Sequence, residues 1–132
     1  MSIQIRKVSS KKELKTFVRF ANRLYKGNKY YVPSMPMDDM NTFTPEKNGA
    51  FDFSEAELYL AYKGDEVVGR VAAIINHKAN EAWKVKQVRF GWIDFIDDLE
   101  VSKALLDAVV AFGKARGMEH VVGPLGFTDF DP

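Results

Sequence analysis

A chain of 132 residues fits one domain, and at that size a folded protein buries roughly 65–70% of its unfolded surface, enough for a real core. Apolar residues make up 46% and charged residues 28%, with a formal net charge of +1, so the overall balance gives no reason to expect nucleic acid or an anionic membrane as partner. The absence of cysteine excludes disulfides and thiolate metal sites, and the alternating start Met1-Ser-Ile-Gln-Ile-Arg-Lys7 is unlike a signal peptide, so the expected address is cytoplasmic.

Ile3, Ile5 and Val8 predict a first strand. Ser10-Lys-Lys-Glu13 has capping-box spacing, in which hydroxyl and carboxylate each satisfy an orphan backbone N–H. Leu14, Phe17, Val18, Ala21, Leu24 and Tyr25 then recur at helical spacing, which predicts a helix over 10–26 with Arg19, Arg23 and Lys26 away from the core. Lys11, Lys12, Lys15, Arg19, Arg23, Lys26 and Lys29 form a basic edge that reads as a solvated face, the alternative being a site for an anionic partner or nucleic acid. Pro33, Pro36, Pro45 and Gly49 make 28–53 irregular, with a short helix around 35–40 and aromatics that pin the segment to the core or face a substrate.

Glu57-Leu-Tyr-Leu-Ala-Tyr62 is strand-like, Lys63-Gly-Asp-Glu66 is a hairpin turn, and Val67–Ile75 is the returning strand, in which Gly69 marks a bulge or close approach. Lys78–Val85 reads as a polar connection with at most a helical turn. Gln87–Ile96 is a third strand of the meander, with Trp92 and Phe95 on opposite faces. Val101, Ala104, Leu105, Ala108, Val109 and Phe112 predict a helix over 99–116, closed by Gly117. Met118–Val122 completes a strand–helix–strand crossover, which should be right-handed and parallel. The expected fold class is α+β with α/β-like features: a mixed, mostly antiparallel sheet flanked by helices in a single domain over 1–132.

The junction Phe95-Ile-Asp-Asp-Leu-Glu-Val-Ser-Lys103 is where such folds present backbone N–H groups to anions. Here Asp97, Asp98 and Glu100 occupy it, residues that cap a helix well but oppose a phosphate. Asp94 in the preceding strand is a candidate general base or a plain polar strand residue. His77 and His120 stand alone, so no metal site is expected; Ser34, Ser54 and Ser102 lie in no nucleophile motif.

Tyr31-Val-Pro33, Pro45-Glu-Lys-Asn48, Ala56-Glu57, Gly69-Arg-Val-Ala-Ala-Ile-Ile-Asn-His77, Phe90-Gly-Trp92, Asp97-Asp-Leu-Glu-Val101, Ala104-Leu-Leu106, Gly117-Met118 and Gly123-Pro124 together resemble the GNAT N-acetyltransferase superfamily, closest to GNAT-like bacterial proteins of uncharacterised function. The resemblance implies acetyl-CoA lying between the fourth and fifth strands, with its pyrophosphate at the start of the following helix on a Gln/Arg-x-x-Gly-x-Gly/Ala motif. That motif falls on Asp97, Glu100 and Ser102, and two of the three positions depart from it. Phe95, Ile96, Asp97, Asp98, Val101, Ser102 and Lys103 are then the expected cofactor contacts, Lys103 offering a cation, and Asp94 the expected base. The implied activity is transfer of an acetyl group to a small-molecule amine; the alternative is a noncatalytic GNAT-like module binding a small molecule or protein. The resemblance covers the superfamily fold only up to its fifth strand, as a truncated domain. An apolar strand edge at Met118, Val121 and Val122 adds the expectation of a homodimer through residues 118–130, burying Phe127 and Phe130, with neither nucleic acid nor membrane as partner.

Overall fold

The computed structural model describes residues 3–24, 26 and 54–123. The short helix expected near 35–40 and the aromatics of 28–53 lie outside them, as do Phe127 and Phe130.

Strand β1 (Ile3–Lys7) leads into helix α1 (Lys11–Leu24). The start of α1 follows from its cap: Ser10 Oγ accepts the Glu13 N–H at 3.1 Å, and the Glu13 carboxylate turns back to accept the Ser9 N–H at 3.1 Å. The Ser9 backbone donor, helped by the Ser9 and Ser10 hydroxyls, holds the Glu13 carboxyl below its ordinary pKa. The apolar stripe then buries Phe17, Val18, Phe20 and Ala21 against one face of the sheet.

Strands β2 (Ser54–Lys63) and β3 (Glu66–Asn76) form an antiparallel hairpin whose turn places Gly64 at φ 64°, a left-handed position suited to glycine. Strand β3 is buried along nearly its whole length because helices cover both of its faces. Helix α2 (His77–Trp83) follows directly, where the sequence suggested a polar connection with at most a turn. Asn80 explains how a segment lacking an apolar stripe is held: its Nδ2 donates to the Gln87 carbonyl at 3.0 Å.

Strand β4 (Gln87–Phe95), helix α3 (Leu99–Ala115) and strand β5 (His120–Val122) form the crossover. Strand order follows chain order, β1-β2-β3-β4-β5, antiparallel until the parallel β4–β5 pair. The fold class is therefore the expected mixed, mostly antiparallel sheet with helices against it. Several boundaries differ from the sequence reading: β2 runs three residues earlier and one later, and β5 shrinks to three residues.

Helix α3 packs on the second sheet face through Val101, Leu105, Val109 and Phe112. Gly69 permits that approach, since a Cβ there would lie 2.9 Å from Leu105 Cδ1 and 2.9 Å from Val101 Cγ1. Both readings of Gly69 hold: helix α3 approaches closely there, and the β2–β3 ladder shifts register beside it, Ala61 facing Gly69 and Tyr62 facing Val67.

Candidate functional site

The site starts from a parting of two strands. Strand β4 pairs with β5 only over Gln87–Arg89 against His120–Val122. At Gly123 the backbones remain close, since a Cβ there would come within 2.5 Å of the Phe90 carbonyl oxygen. From Gly91 to Phe95 no strand among the described residues pairs with β4 on that side. A strand edge with no neighbouring strand can receive an extended chain of amides.

The same segment carries a bulge. Arg70 pairs with Asp94 and Ala72 with Gly91, so Val71 faces two residues, Trp92 and Ile93. Trp92 takes φ 46°, a left-handed conformation that costs a bulky residue on the order of 1–3 kcal/mol. The indole repays part of that by packing into the α1-side core. Trp92 and Phe95 do face opposite ways, Phe95 lying beside Gly69 on the α3 side.

Helix α3 begins at the end of this open edge, and its first amides are already engaged. Asp98 is the N-cap: its Oδ1 accepts the Glu100 N–H at 2.9 Å, and its carbonyl accepts from Val101 at 3.1 Å and Ser102 at 3.3 Å. Lys63, from the end of β2, sits 3.7 Å from Asp98 Oδ2. Asp97 and Glu100 are exposed beside it. Lys103 pairs with Asp107 at 3.1 Å on the open helix surface, an attachment worth only a few tenths of a kcal/mol. Ser102 Oγ donates to the Leu99 carbonyl. Val101 is fully buried on the sheet, so its side chain faces away from the cleft. Phe95 and Leu99 expose apolar surface at the mouth, Leu99 at 86%.

Asp94 lies elsewhere than on a solvent-facing strand surface. Its Oδ2 accepts from Arg70 Nε and Nη2, both at 2.9 Å, and Arg70 Nη1 donates to the Phe17 carbonyl at 2.8 Å. Arg70 is only 5% exposed and also stacks over the Phe17 ring. The pair fixes the open part of β4 to the middle of α1. Sequence reasoning attached no role to Arg70, although a lone arginine inside the apolar run Val67–Ile75 demands a buried anion.

A second cluster went unread in the sequence. Arg116, at the end of α3, lies 3.4 Å from Glu55 and 3.6 Å from Glu57, while Lys7 reaches Glu57 at 3.0 Å. The Tyr59 hydroxyl donates to Glu57, and the Arg116 guanidinium stacks 3.9 Å over Phe112. Burial pushes the Glu57 carboxyl up, but Tyr59, Lys7 and Arg116 outweigh it and leave the group below its ordinary pKa. Burial and the Glu57 carboxylate raise the Tyr59 hydroxyl well above the usual phenol range. A carboxyl lowered on folding stabilises the protein above its unfolded pKa, and that contribution fades as pH falls through the folded value. Tyr59→Phe should therefore cost about 1 kcal/mol at pH 7 and much less near pH 3, as read by urea unfolding at both pH values.

Among the described residues no cluster of metal-ligating side chains occurs, and no helix is long and apolar enough to cross a membrane.

A parting of β4 from a parallel β5 with a helix start beside it is the arrangement that the resemblance to GNAT acetyltransferases implied. The comparisons with solved structures agree, and the chain has the GNAT fold. It superposes on a tandem GNAT protein from the clavulanic acid pathway with a TM-score of 0.65 at 10% identity, covering 87% of this chain and 34% of that one. Against an aminoglycoside acetyltransferase from an uncultured soil metagenomic sample, in complex with sisomicin, the TM-score is 0.63 at 12% identity, over 93% and 77% of the two chains. Glucosamine-6-phosphate N-acetyltransferase from Arabidopsis thaliana gives 0.63 at 12%, over 96% and 84%. No family model matches the sequence. Two curated relatives align along most of it: Protein YghO of Escherichia coli, 31% identical over 120 residues, and a bacterial ceramide synthase of Caulobacter vibrioides, 31% identical over 122 residues. These cover 91% and 92% of this chain but 30% and 32% of the relatives, so the chain spans about a third of their length.

Proposed function

We propose that this domain takes part in acyl transfer from a thioester to an amine, with the open edge Gly91–Phe95 receiving the pantetheine arm of the donor. The carrying observation is that edge: over five residues of β4 no strand among the described residues lies in register on one side. A pantetheine arm is linear and contains two amide groups, so it can pair with a strand edge as a peptide does. The reaction forms a C–N bond and breaks a C–S bond, and the proton lost by the amine ends on the departing thiol. The Caulobacter relative is named a ceramide synthase, and a ceramide is an amide of a long-chain amine, which supports an amine as acceptor. The exposed Phe95 and Leu99 at the mouth suit an apolar acyl group. In this reading Asp94 is a positioning residue, holding β4 to α1 through Arg70 rather than collecting the amine's proton.

The pyrophosphate of coenzyme A fits less well than the arm. The Glu100, Val101 and Ser102 amides are engaged by Asp98, and Asp97 and Glu100 add repulsion on the order of 1 kcal/mol each in water. That mismatch is what favours the second reading, a noncatalytic module that uses the same cleft to bind a small molecule or protein.

Calorimetric titration tests both. Acetyl-CoA should bind with a Kd above roughly 0.1 mM, or about −5.5 kcal/mol. S-acetylpantetheine, which lacks the diphosphate, should bind no more weakly. Asp97→Arg with Glu100→Gly should tighten acetyl-CoA binding about tenfold. Absence of binding by both thioesters, with no gain in a folded double variant, removes the acyl-transfer reading. Binding of thioester with no thiol released in the presence of long-chain and short-chain amines favours the noncatalytic module.

A further inference from the structure

The whole-chain charge of +1 conceals a local excess on α1. That helix carries Lys11, Lys12, Lys15, Arg19 and Arg23 against a single carboxylate, Glu13, which is committed to the cap. Arg23 turns back to the sheet, its Nη2 donating to the Val67 carbonyl at 2.9 Å. Lys11, Lys12, Lys15 and Arg19 are all exposed, and none makes an ion pair among the described residues. Elsewhere Lys7, Lys63, Arg70, Lys86, Lys103 and Arg116 each face a carboxylate, and the exposed cations without one among the described residues, Arg6, Lys84 and Lys114, lie apart in sequence on different elements.

Lys12, Lys15 and Arg19 follow one another at helical spacing, with Lys11 alongside, so the charges form a straight row along a helix about 21 Å long. Because Phe17, Val18, Phe20 and Ala21 are locked in the core, the helix cannot roll to insert its apolar face. Contact through this face is therefore electrostatic and flat. From these observations we infer that the exposed row of α1 docks the domain on an anionic lipid bilayer.

A charged plane matches the row better than a nucleic acid groove does. Lys11, Lys12 and Lys15 supply point charges on long stems and Arg19 a single guanidinium, with no aromatic side chain in the row on which a base could stack. The helix that carries the row is tied to the cleft strand from its other face: the Phe17 carbonyl is joined through Arg70 to Asp94 in β4. Docking would hold the cleft beside the membrane surface. This proposal goes beyond the acyl-transfer reading and stands independently of it.

Sedimentation of the chain with vesicles tests it. The protein should pellet with mixed phosphatidylcholine–phosphatidylglycerol vesicles, remain in solution with phosphatidylcholine alone, and be released as salt rises from about 0.05 to 0.5 M. Lys11→Gln, Lys12→Gln, Lys15→Gln and Arg19→Gln together should weaken partitioning at least about thirtyfold, glutamine being a good helix former. A charge-matched control, Lys84→Gln, Lys86→Gln, Lys103→Gln and Lys114→Gln, should lose far less. Circular dichroism melts verify that both variants fold; should the α1 variant not fold, the lipid and salt series on the unmodified protein decides. Equal losses in the two folded variants, no binding to anionic vesicles, or preferential binding to a DNA duplex at the same salt would overturn the proposal. No thioester enters this experiment, so its failure leaves the acyl-transfer reading standing, and weak coenzyme binding leaves the docking face standing.

Discussion

Arg70→Met should be among the most damaging single substitutions in this domain, costing about 3–5 kcal/mol and lowering the melting temperature by on the order of 10 °C. The reason is asymmetric. Removing the guanidinium takes from the Asp94 carboxylate, 17% exposed, the cation at 2.9 Å, and from the Phe17 carbonyl the donor at 2.8 Å. Desolvation of Asp94 persists while the bidentate share of its compensation is gone. Replacing both members, as Arg70→Met with Asp94→Leu, should recover most of the loss, because a buried ion pair exchanged for apolar groups of similar volume is often neutral. Thermal melts of the two single variants and the double variant form the cycle. A loss below about 1 kcal/mol for Arg70→Met would mean that the guanidinium is far better solvated than its 5% exposure indicates.

The second large effect is at the seam between α3 and the sheet. Leu105→Ala should cost about 2–5 kcal/mol, since the side chain is fully buried and its removal opens a cavity beside Gly69. Gly69→Ala alone should also destabilise, by about 1–3 kcal/mol, because its new methyl would sit 2.9 Å from both Leu105 and Val101. Together they should cost less than the sum. The added methyl occupies part of the space that Leu105 vacates, so the coupling is favourable. Denaturant unfolding of all three variants measures it, and strict additivity would show that the two side chains do not share one space.

The elements that could be read from the sequence were those whose signal is local. The Ser10–Glu13 cap and the apolar spacing of Phe17, Val18 and Ala21 are contained within four residues of one another, and α1 appears at its expected place within two residues. The β2–β3 hairpin announces itself through Gly64 in the turn and the run Val67–Ile75 after it, apolar but for Arg70. Helix α2 was missed because its sequence has no apolar stripe and Trp83 is 74% exposed; what fixes it is a bond from Asn80 to a carbonyl seven residues away. The site was half legible. Crossover logic set β5 parallel to β4, the resemblance implied the gap between them, and of the two cap candidates Asp97 and Asp98 the cap is Asp98. The partner of Asp94 could not be read, because Arg70 lies 24 residues earlier and meets it only once β3 and β4 are in register. The same holds for Glu57 and Arg116, which come from a strand and a helix end that no local pattern connects.

The bulge at Trp92 also bears on how such a domain can change over generations. Gly91 pairs with Ala72 on the α1 side, and Trp92 packs into that same core, so two successive residues share one face before alternation resumes at Ile93. On either side of them, Phe90 with Ala73 and Asp94 with Arg70 keep the faces that a regular strand one residue shorter would give them. A single codon gained or lost at this point therefore re-aims the cleft-lining backbone without turning any core residue outward. In the regular parts of β3 and β4 the same event would exchange the residues that face α1 with those that face α3. The strand that borders the cleft thus has a place where length variation is structurally cheap, and lineages could revise what the cleft accepts while inheriting the rest of the core unchanged.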